Sequence, residues 1–501
     1  MRKAFGHPWV SCSLLAAAVG CSDRAPTFPA AGGGLAKVES APRTVRPSIV
    51  RTVRERLLDV GAEVPEFSGF YVDDEGATVI KLVGPSVAAP GGTDRGLLEQ
   101  RAAASLRTHL HLPSGSPVRY EAGTVRYAEL YDLFHRVRDA VAHARRDIPF
   151  VLGIDMRSSS VRLEVASHEL DAMRRLVASV DANHLVDFRS LAGQLVMPMD
   201  RAISSVSVDV SPLSSPAPCS NNLLCRFSVN PASGIEIGRS IFFDFQTLPY
   251  RCSVGFNAVL DAPVGILASV PAGQRYLITA SHCTATYGFN SGDVVRQNQQ
   301  TTVDTYATEV SDPSWPIGVF GRPQRYSDAS LMQVGRVTTG AQWRFGRVYV
   351  TNSAGSTAIL GETQLRSAFG GGGYAVGYWG APVVKTGRTT GTSQGRFRDL
   401  CFDLYGVADS DPSRGVSTDL LCQNRIEIRN GGGDSGGTVW FPTEAGYGAP
   451  TAAGLIAACA SVSPGVCDST RVYISDIALV VQELQQFPNG TIRPLFVQPV
   501  Q

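Results

Sequence analysis

A glycine-rich run, Gly431-Gly432-Gly433-Asp434-Ser435-Gly436-Gly437, holds the residue best suited to covalent chemistry in this chain. A serine hydroxyl attacks a carbonyl only when a base takes its proton. The oxyanion that forms then needs backbone N–H groups aimed at it. Glycines around the serine allow the backbone angles that aim those groups, and they leave room for a substrate. The expected donors are the N–H groups of Gly433 and Ser435, with Asp434 anchoring the turn through a buried charge. The bland alternative is an ordinary glycine loop. It loses ground to a second segment, Tyr276-Leu277-Ile278-Thr279-Ala280-Ser281-His282-Cys283, a strand-like run ending in a histidine beside a cysteine that can fix its loop. Of the eight histidines, only His282 lies in the cysteine-bearing half of the chain, so a serine hydrolase there has no other base of that type.

The base needs a carboxylate that accepts its second N–H, holds its tautomer and stabilises the imidazolium. Asp328, in Tyr326-Ser327-Asp328-Ala329-Ser330-Leu331, precedes residues that alternate as a strand does. Asp304 and Asp312 lie nearby, and the order His282, Asp328, Ser435 is what favours Asp328. The expected roles are Ser435 as nucleophile, His282 as general base and Asp328 as its orienting group.

These residues need a rigid frame, and the chain is long enough for one. Its 501 residues suit two or three domains. With 44% hydrophobic and 18% charged residues the composition is globular rather than disordered. A net charge of +1 calls for neither nucleic acid nor an anionic surface as partner. Beyond Cys12 and Cys21, the cysteines are Cys219, Cys225, Cys252, Cys283, Cys401, Cys422, Cys459 and Cys467, none of them before residue 219. None forms a Cys-x-x-Cys pair and one histidine lies near them, so the pattern suits disulfides in an oxidising compartment rather than a metal site. No metal or organic cofactor is expected.

The expected organisation is a signal peptide over 1–21, a linker over 22–45, an α+β domain over 46–204, a second linker over 205–233, a serine-hydrolase domain over 234–487 and a tail over 488–501. Arg2 and Lys3 precede an apolar run, which points to export. Small residues before Cys21 leave two outcomes open, lipidation at Cys21 or plain secretion. In 46–200 two segments look alike, Phe67 to Val83 and Phe150 to Val165. Each reads as a hairpin followed by a helix, Leu97 to Leu110 and His168 to Val180, which suggests an internal repeat. From Gly234 short β-branched runs alternate with turn residues: Val264 to Val270, Arg275 to Ala280, Arg344 to Thr351 and Thr451 to Ala458. That pattern argues for an all-β barrel or sandwich closed by a helix over Ser475 to Gln486.

The order His, Asp, Ser, with spacings of roughly fifty and one hundred residues, separates this chain from α/β-hydrolases (Ser, Asp, His) and subtilisins (Asp, His, Ser). The three motifs, with Arg251-Cys252-Ser253-Val254-Gly255-Phe256 and Thr386-Gly387-Arg388-Thr389-Thr390-Gly391, resemble the chymotrypsin-like serine proteases, and among them the streptogrisin and α-lytic protease branch. The resemblance spans about residues 65–487, strongly at the motifs and loosely between them. It implies an all-β double β-barrel preceded by a small α+β pro-domain that serves as folding catalyst and inhibitor. It also implies a monomeric endopeptidase made as a zymogen, acting on proteins or peptides outside a bacterial cell or on its surface. By the same resemblance Cys252 and Cys283 match the disulfide that pins the histidine loop. Cys401 with Cys422 and Cys459 with Cys467 are local pairs that sequence does not settle, and Cys219 with Cys225 is a close pair in the linker. Arg429, six before the serine, falls where the family places the floor of its specificity pocket; there it would favour acidic side chains, and the preferred reading is that it points elsewhere and the pocket takes apolar ones. The alternative is a non-catalytic binding protein that keeps the fold.

Overall fold

The computed structural model describes residues 51–84, 93–110, 117–198, 200–201, 235–237, 240–243, 250–260, 275–284, 293–296, 305–313, 315–334, 343–351, 359–365, 380–409, 417–443, 449–463, 466–485 and 495–497. The apolar N-terminus with Cys21, the linker pair Cys219 and Cys225, and the strand expected at 264–270 lie outside them. From Ile49 onward the chain is one compact unit. Among the described residues no helix is long and apolar enough to cross a membrane.

The N-terminal part opens with α1 (Val53–Glu63). Thr52 caps it: its hydroxyl accepts from the Glu55 N–H and the Glu55 carboxylate accepts from the Thr52 N–H, satisfying donors that a helix start leaves open. The two look-alike segments are β1 (Phe67–Val72) with β2 (Thr78–Leu82), and β4 (Phe150–Asp155) with β5 (Ser160–Val165), both antiparallel hairpins. Each is followed by a helix, α2 (Thr93–Leu110) or α4 (Leu170–Val177), and then by a strand parallel to the hairpin's second strand. Those third strands are β3 (Val118–Ala122) and β6 (Val186–Ser190). A parallel partner needs a crossover, and the helix supplies it. The repeat is therefore a hairpin–helix–strand unit, longer by one strand than its sequence signature. Between the copies runs α3 (Tyr127–Ala144), whose Tyr127, Leu130, Phe134, Val137 and Val141 form one buried face at helical spacing.

The C-terminal part holds two strand systems. In the first, antiparallel pairings run from Leu495–Val497 through Phe256–Leu260, Arg275–Thr279, Ser330–Val334, Thr305–Ser311, Val294–Arg296 and Ser240–Phe243 to Tyr250–Ser253. In the second, Pro382–Gly387, Gly391–Asp409, Ser417–Glu427, Val466–Asp476, Thr451–Ser463 and Thr438–Phe441 pair antiparallel in a cycle that returns to its start. A closed ring leaves no open edge within it. Two sequence expectations are corrected here. Residues 488–501 are not without pattern, because Leu495–Val497 pairs with Phe256–Leu260. The closing helix is shorter than expected: α5 (Ile477–Leu484) starts after Asp476, whose carboxylate caps it and which still belongs to the preceding strand.

The N-terminal sheet continues the ring. Strand β4 pairs antiparallel with Gly391–Asp409, Leu152 opposite Asp403 and Phe150 opposite Tyr405. The Phe150 and Tyr405 rings stack with centroids 4.5 Å apart. Gly153 faces Phe402 so closely that a Cβ would sit 2.5 Å from the ring. Among the described residues four ion pairs cross the seam, one of them Arg471 with Glu164 at 3.6 Å. Arg54 donates to both Asp403 oxygens at 2.5 and 3.1 Å, Arg162 to Asp399 at 3.0 Å, and Arg425 to Glu164 at 3.3 Å. Removing one partner of a buried pair strands the other charge in a low dielectric. Arg54→Met is expected to destabilise the full-length chain by about 3–5 kcal/mol. Urea unfolding of wild type and variant side by side checks this.

Candidate active site

Strand pairing brings the histidine and its carboxylate to one place. Arg275–Thr279 pairs antiparallel with Ser330–Val334, with Thr279 opposite Ser330. The residues just after Thr279 and just before Ser330 therefore emerge at the same end. His282 sits there in a short helical turn, Ser281–Cys283, and Asp328 in the facing loop. Asp328 Oδ2 accepts from His282 Nδ1, and its Oδ1 accepts from the His282 backbone N–H at 2.9 Å. Both side chains are fully buried. With Nδ1 as donor, a neutral imidazole presents Nε2 as acceptor.

A network that sequence reasoning missed holds this loop. Glu483 of α5 accepts from the N–H groups of Tyr326 and Ser327, at 3.0 and 2.9 Å, and from the Ser327 hydroxyl at 2.5 Å. Arg325 bridges Glu483 (3.1 Å) to Asp312 (2.7 Å), and Asp312 accepts from Ser281 beside the histidine. The Asp328 N–H donates to Ser475 Oγ at 2.9 Å. Asp312, a rival to Asp328 in sequence, is thereby a support of the histidine loop. The disulfide Cys252–Cys283 ties that loop to the neighbouring strand, and Cys401–Cys422 and Cys459–Cys467 are also bonded.

Ser435 lies in a turn between Glu427 and Thr438 that glycine makes possible. Gly433 and Gly436 have φ of 88° and 74°, values that side-chain-bearing residues rarely adopt. A Cβ on Gly436 would also lie 2.8 Å from the Ala280 nitrogen, so the serine turn packs against the strand end that carries His282. Asp434 anchors the turn as its position suggested. It accepts from Lys385 Nζ at 2.7 Å, Thr390 Oγ1 at 2.6 Å, and the N–H groups of Thr389, Thr390 and Gly431 at 2.8, 3.1 and 3.1 Å. Lys385 and Asp434 are both fully buried. Burial pushes the Lys385 ammonium below the usual lysine range, and the Asp434 charge opposes that shift. Only its place in the strand before Thr386–Gly391 hinted at Lys385.

The site is occupied by the chain itself. The carbonyl of Pro198 accepts from the Ser435 hydroxyl and from the Gly433 N–H, the latter at 3.4 Å. The preceding residues form β7 (Gln194–Met197), antiparallel to Thr451–Ser463 and parallel to Gly391–Asp409. Arg429, six before the serine, is exposed, which agrees with the reading that it points elsewhere, and its carbonyl accepts from Ser393 at 3.1 Å. An exposed side chain does not line a closed floor, and the buried neighbour is Asn430, which donates to Cys467 Sγ at 3.3 Å.

No family model matches the chain, and no curated protein is similar to it. Among solved structures the chain is similar to Thermobifida fusca protease A, with 17% identity over 53% of this chain and 100% of that one, at a TM-score of 0.32. It is similar to Cellulomonas bogoriensis chymotrypsin at 16% identity, 53% and 100% coverage and a TM-score of 0.31. It is also similar to a Nocardiopsis protease, at 19% identity, 48% and 92% coverage and a TM-score of 0.28.

Lys385 loses its charge below the pH at which an ordinary lysine does, and with it the anchor of the serine turn. An arginine stays charged throughout the working range. Activity of Lys385→Arg is expected to persist to higher pH than wild type, while Lys385→Met loses activity at every pH by stranding Asp434. Alkaline pH profiles of kcat for the three proteins check this.

Proposed function

We propose that this chain is an exported serine-type endopeptidase made as a zymogen, hydrolysing peptide bonds through an acyl-enzyme on Ser435. The observation that carries the reading is the Pro198 carbonyl set against both the Ser435 hydroxyl and the Gly433 N–H. For reaction the hydroxyl proton turns from that oxygen to His282 Nε2, and backbone N–H groups alone hold the oxygen. A carbonyl carbon lies about 1.2 Å from its oxygen, so the atom to be attacked is close to the nucleophile as well.

In the proposed reaction Ser435 Oγ bonds to the scissile carbonyl carbon while His282 Nε2 takes the hydroxyl proton. Asp328 holds Nδ1 and stabilises the imidazolium. The N–H groups of Gly433 and Ser435 hold the oxyanion. The C–N bond breaks as His282 passes its proton to the leaving amine. Water then hydrolyses the acyl-enzyme by the same route in reverse order. The anchor of the turn, Lys385 with Asp434, lies wholly within the C-terminal part and involves no chain terminus. The oxyanion hole is therefore set before any cut, which suits a precursor that cleaves itself.

In this reading the two strand systems of the C-terminal part are the two barrels of a chymotrypsin-like domain, and the N-terminal part is its pro-domain. As inhibitor, the pro-domain fills the site with β7. As folding catalyst, it offers β4 as a ready edge to the hairpin Gly391–Asp409 and Ser417–Glu427. A barrel built from non-local contacts folds slowly. A protease also gains from a high unfolding barrier, since opened chains are cut. A template answers both needs.

Ser435→Ala is expected to leave the full-length chain uncut, with wild type releasing a C-terminal fragment under the same conditions. It is also expected to lower kcat toward a peptide mixture by a factor of about 10³ or more. A Ser435→Ala protein that still releases the fragment on its own, or still cuts peptides, contradicts the reading.

A further inference from the structure

The segment in the site also shows what the site accepts. We propose that the enzyme cleaves after proline, in peptides with apolar residues two and four places before the cut, and that the bond following Pro198 is its first substrate. This rests on Ser435 being the nucleophile. It assigns both a specificity and a processing point, earlier in the chain than the linker at 205–233 suggests.

Burial along the segment alternates. Gln194 is exposed, Val196 half-buried, and Leu195 and Met197 fully buried. Leu195 and Met197 belong to an apolar cluster with Trp315, Ala457, Ala458 and Tyr473 from the C-terminal part. Thr418 Oγ1 lies 3.9 Å from the Met197 sulfur. Taking such side chains out of water is favourable enough to select for apolar residues at those two places.

The residue at the cut meets a different surface. The antiparallel ladder sets Gln194 opposite Ser461, Leu195 opposite Ala460 and Val196 opposite Cys459. Continuing that register sets Pro198 opposite Ala457. On its other side is the serine turn, where Gly431, Gly432 and Gly433 carry no side chain. Arg429 points to solvent and Asp434 is bound to Lys385. Turn residues without side chains suit a compact apolar ring better than a long side chain. Among the described residues the antiparallel pairing ends at Val196, and proline has no N–H to extend it. Proline also fixes its own φ and holds Met197 extended, which lowers the ordering cost of placing the carbonyl.

In the proposed step Ser435 Oγ bonds to the Pro198 carbonyl carbon, and its proton passes through His282 to the nitrogen of Met199 as the Pro198–Met199 bond breaks. Water releases the acyl group, leaving a carboxylate on Pro198 and a new amino terminus at Met199.

The test has two readouts on wild-type protein that has been allowed to process. The first is the amino-terminal sequence and intact mass of the C-terminal fragment. The second is kcat/KM for acetyl-Leu-Val-Met-Xaa-p-nitroanilides with Xaa as Pro, Ala, Phe or Glu. The expected results are a fragment starting at Met199 and a proline substrate turned over at least about tenfold faster than Phe or Glu. A fragment with another self-made start, or a proline substrate slower than Phe or Glu, overturns the inference. Labelling the same fragment with a fluorophosphonate separates the two failures. An adduct on Ser435 with no cleavage after proline sinks the specificity alone, whereas no adduct at all sinks the peptidase reading beneath it.

Discussion

Asp434 is a carboxylate with no exposure to water, and the shape of the active-site turn depends on how its charge is met. Burying an unpaired carboxylate costs several kcal/mol. Here an equally buried lysine, a threonine hydroxyl and three backbone N–H groups converge on it. Those bonds fix the residues on either side. Gly433 and Gly436 are held at positive φ, and the Ser435 hydroxyl and the Gly433 N–H point at one spot. A replacement of Lys385 by an apolar residue alone would leave the carboxylate stranded, so the pair acts as a unit. Its members come from Pro382–Gly387 and from the Ser435 turn, which ties the turn to the ring rather than to a flexible terminus.

The histidine side of the site follows the same logic at one remove. Asp328 is positioned by strand register and by Ser475, and its loop by Glu483 from α5. The last helix of the ring thereby supports a loop of the other strand system. The N-terminal part adds a third layer. It joins the ring by strand pairing at β4, by ion pairs and by ring stacking, and it ends with its own chain against Ser435. The docked strand β4 and the segment against Ser435 thus belong to the same part of the chain. A segment that leaves the site does not by itself undo the seam at Asp399 and Asp403.

Much of this was legible in the residues. The Ser435 turn, the strand leading to His282 and the place of Asp328 before an alternating strand all carry local signals. The hairpins of the repeat did too, because a polar turn between alternating residues is a short-range pattern. The third strands β3 and β6 were not legible. Their partners lie about 40 and 25 residues away, across helices, and parallel pairing leaves no turn to recognise. Lys385 and Glu483 were hidden for the same reason: each meets its carboxylate or loop across more than 40 residues of chain. A count of six residues from the serine assumes a backbone path, and at Arg429 the side chain is exposed, so the count alone does not find a pocket floor. Pro198 had no signal at all, since a lone proline between methionines looks like any loop.

The central claim is that Ser435 is an activated nucleophile whose site is closed by β7 until the chain is cut. Reaction with a fluorophosphonate, followed by peptide mapping, tests it most directly on three samples: the uncut chain, the processed chain and His282→Ala. A single adduct on Ser435 is expected in the processed chain, little in the uncut chain and none in His282→Ala. An unlabelled Ser435 in folded, processed protein would contradict it and leave a binding protein that keeps the fold.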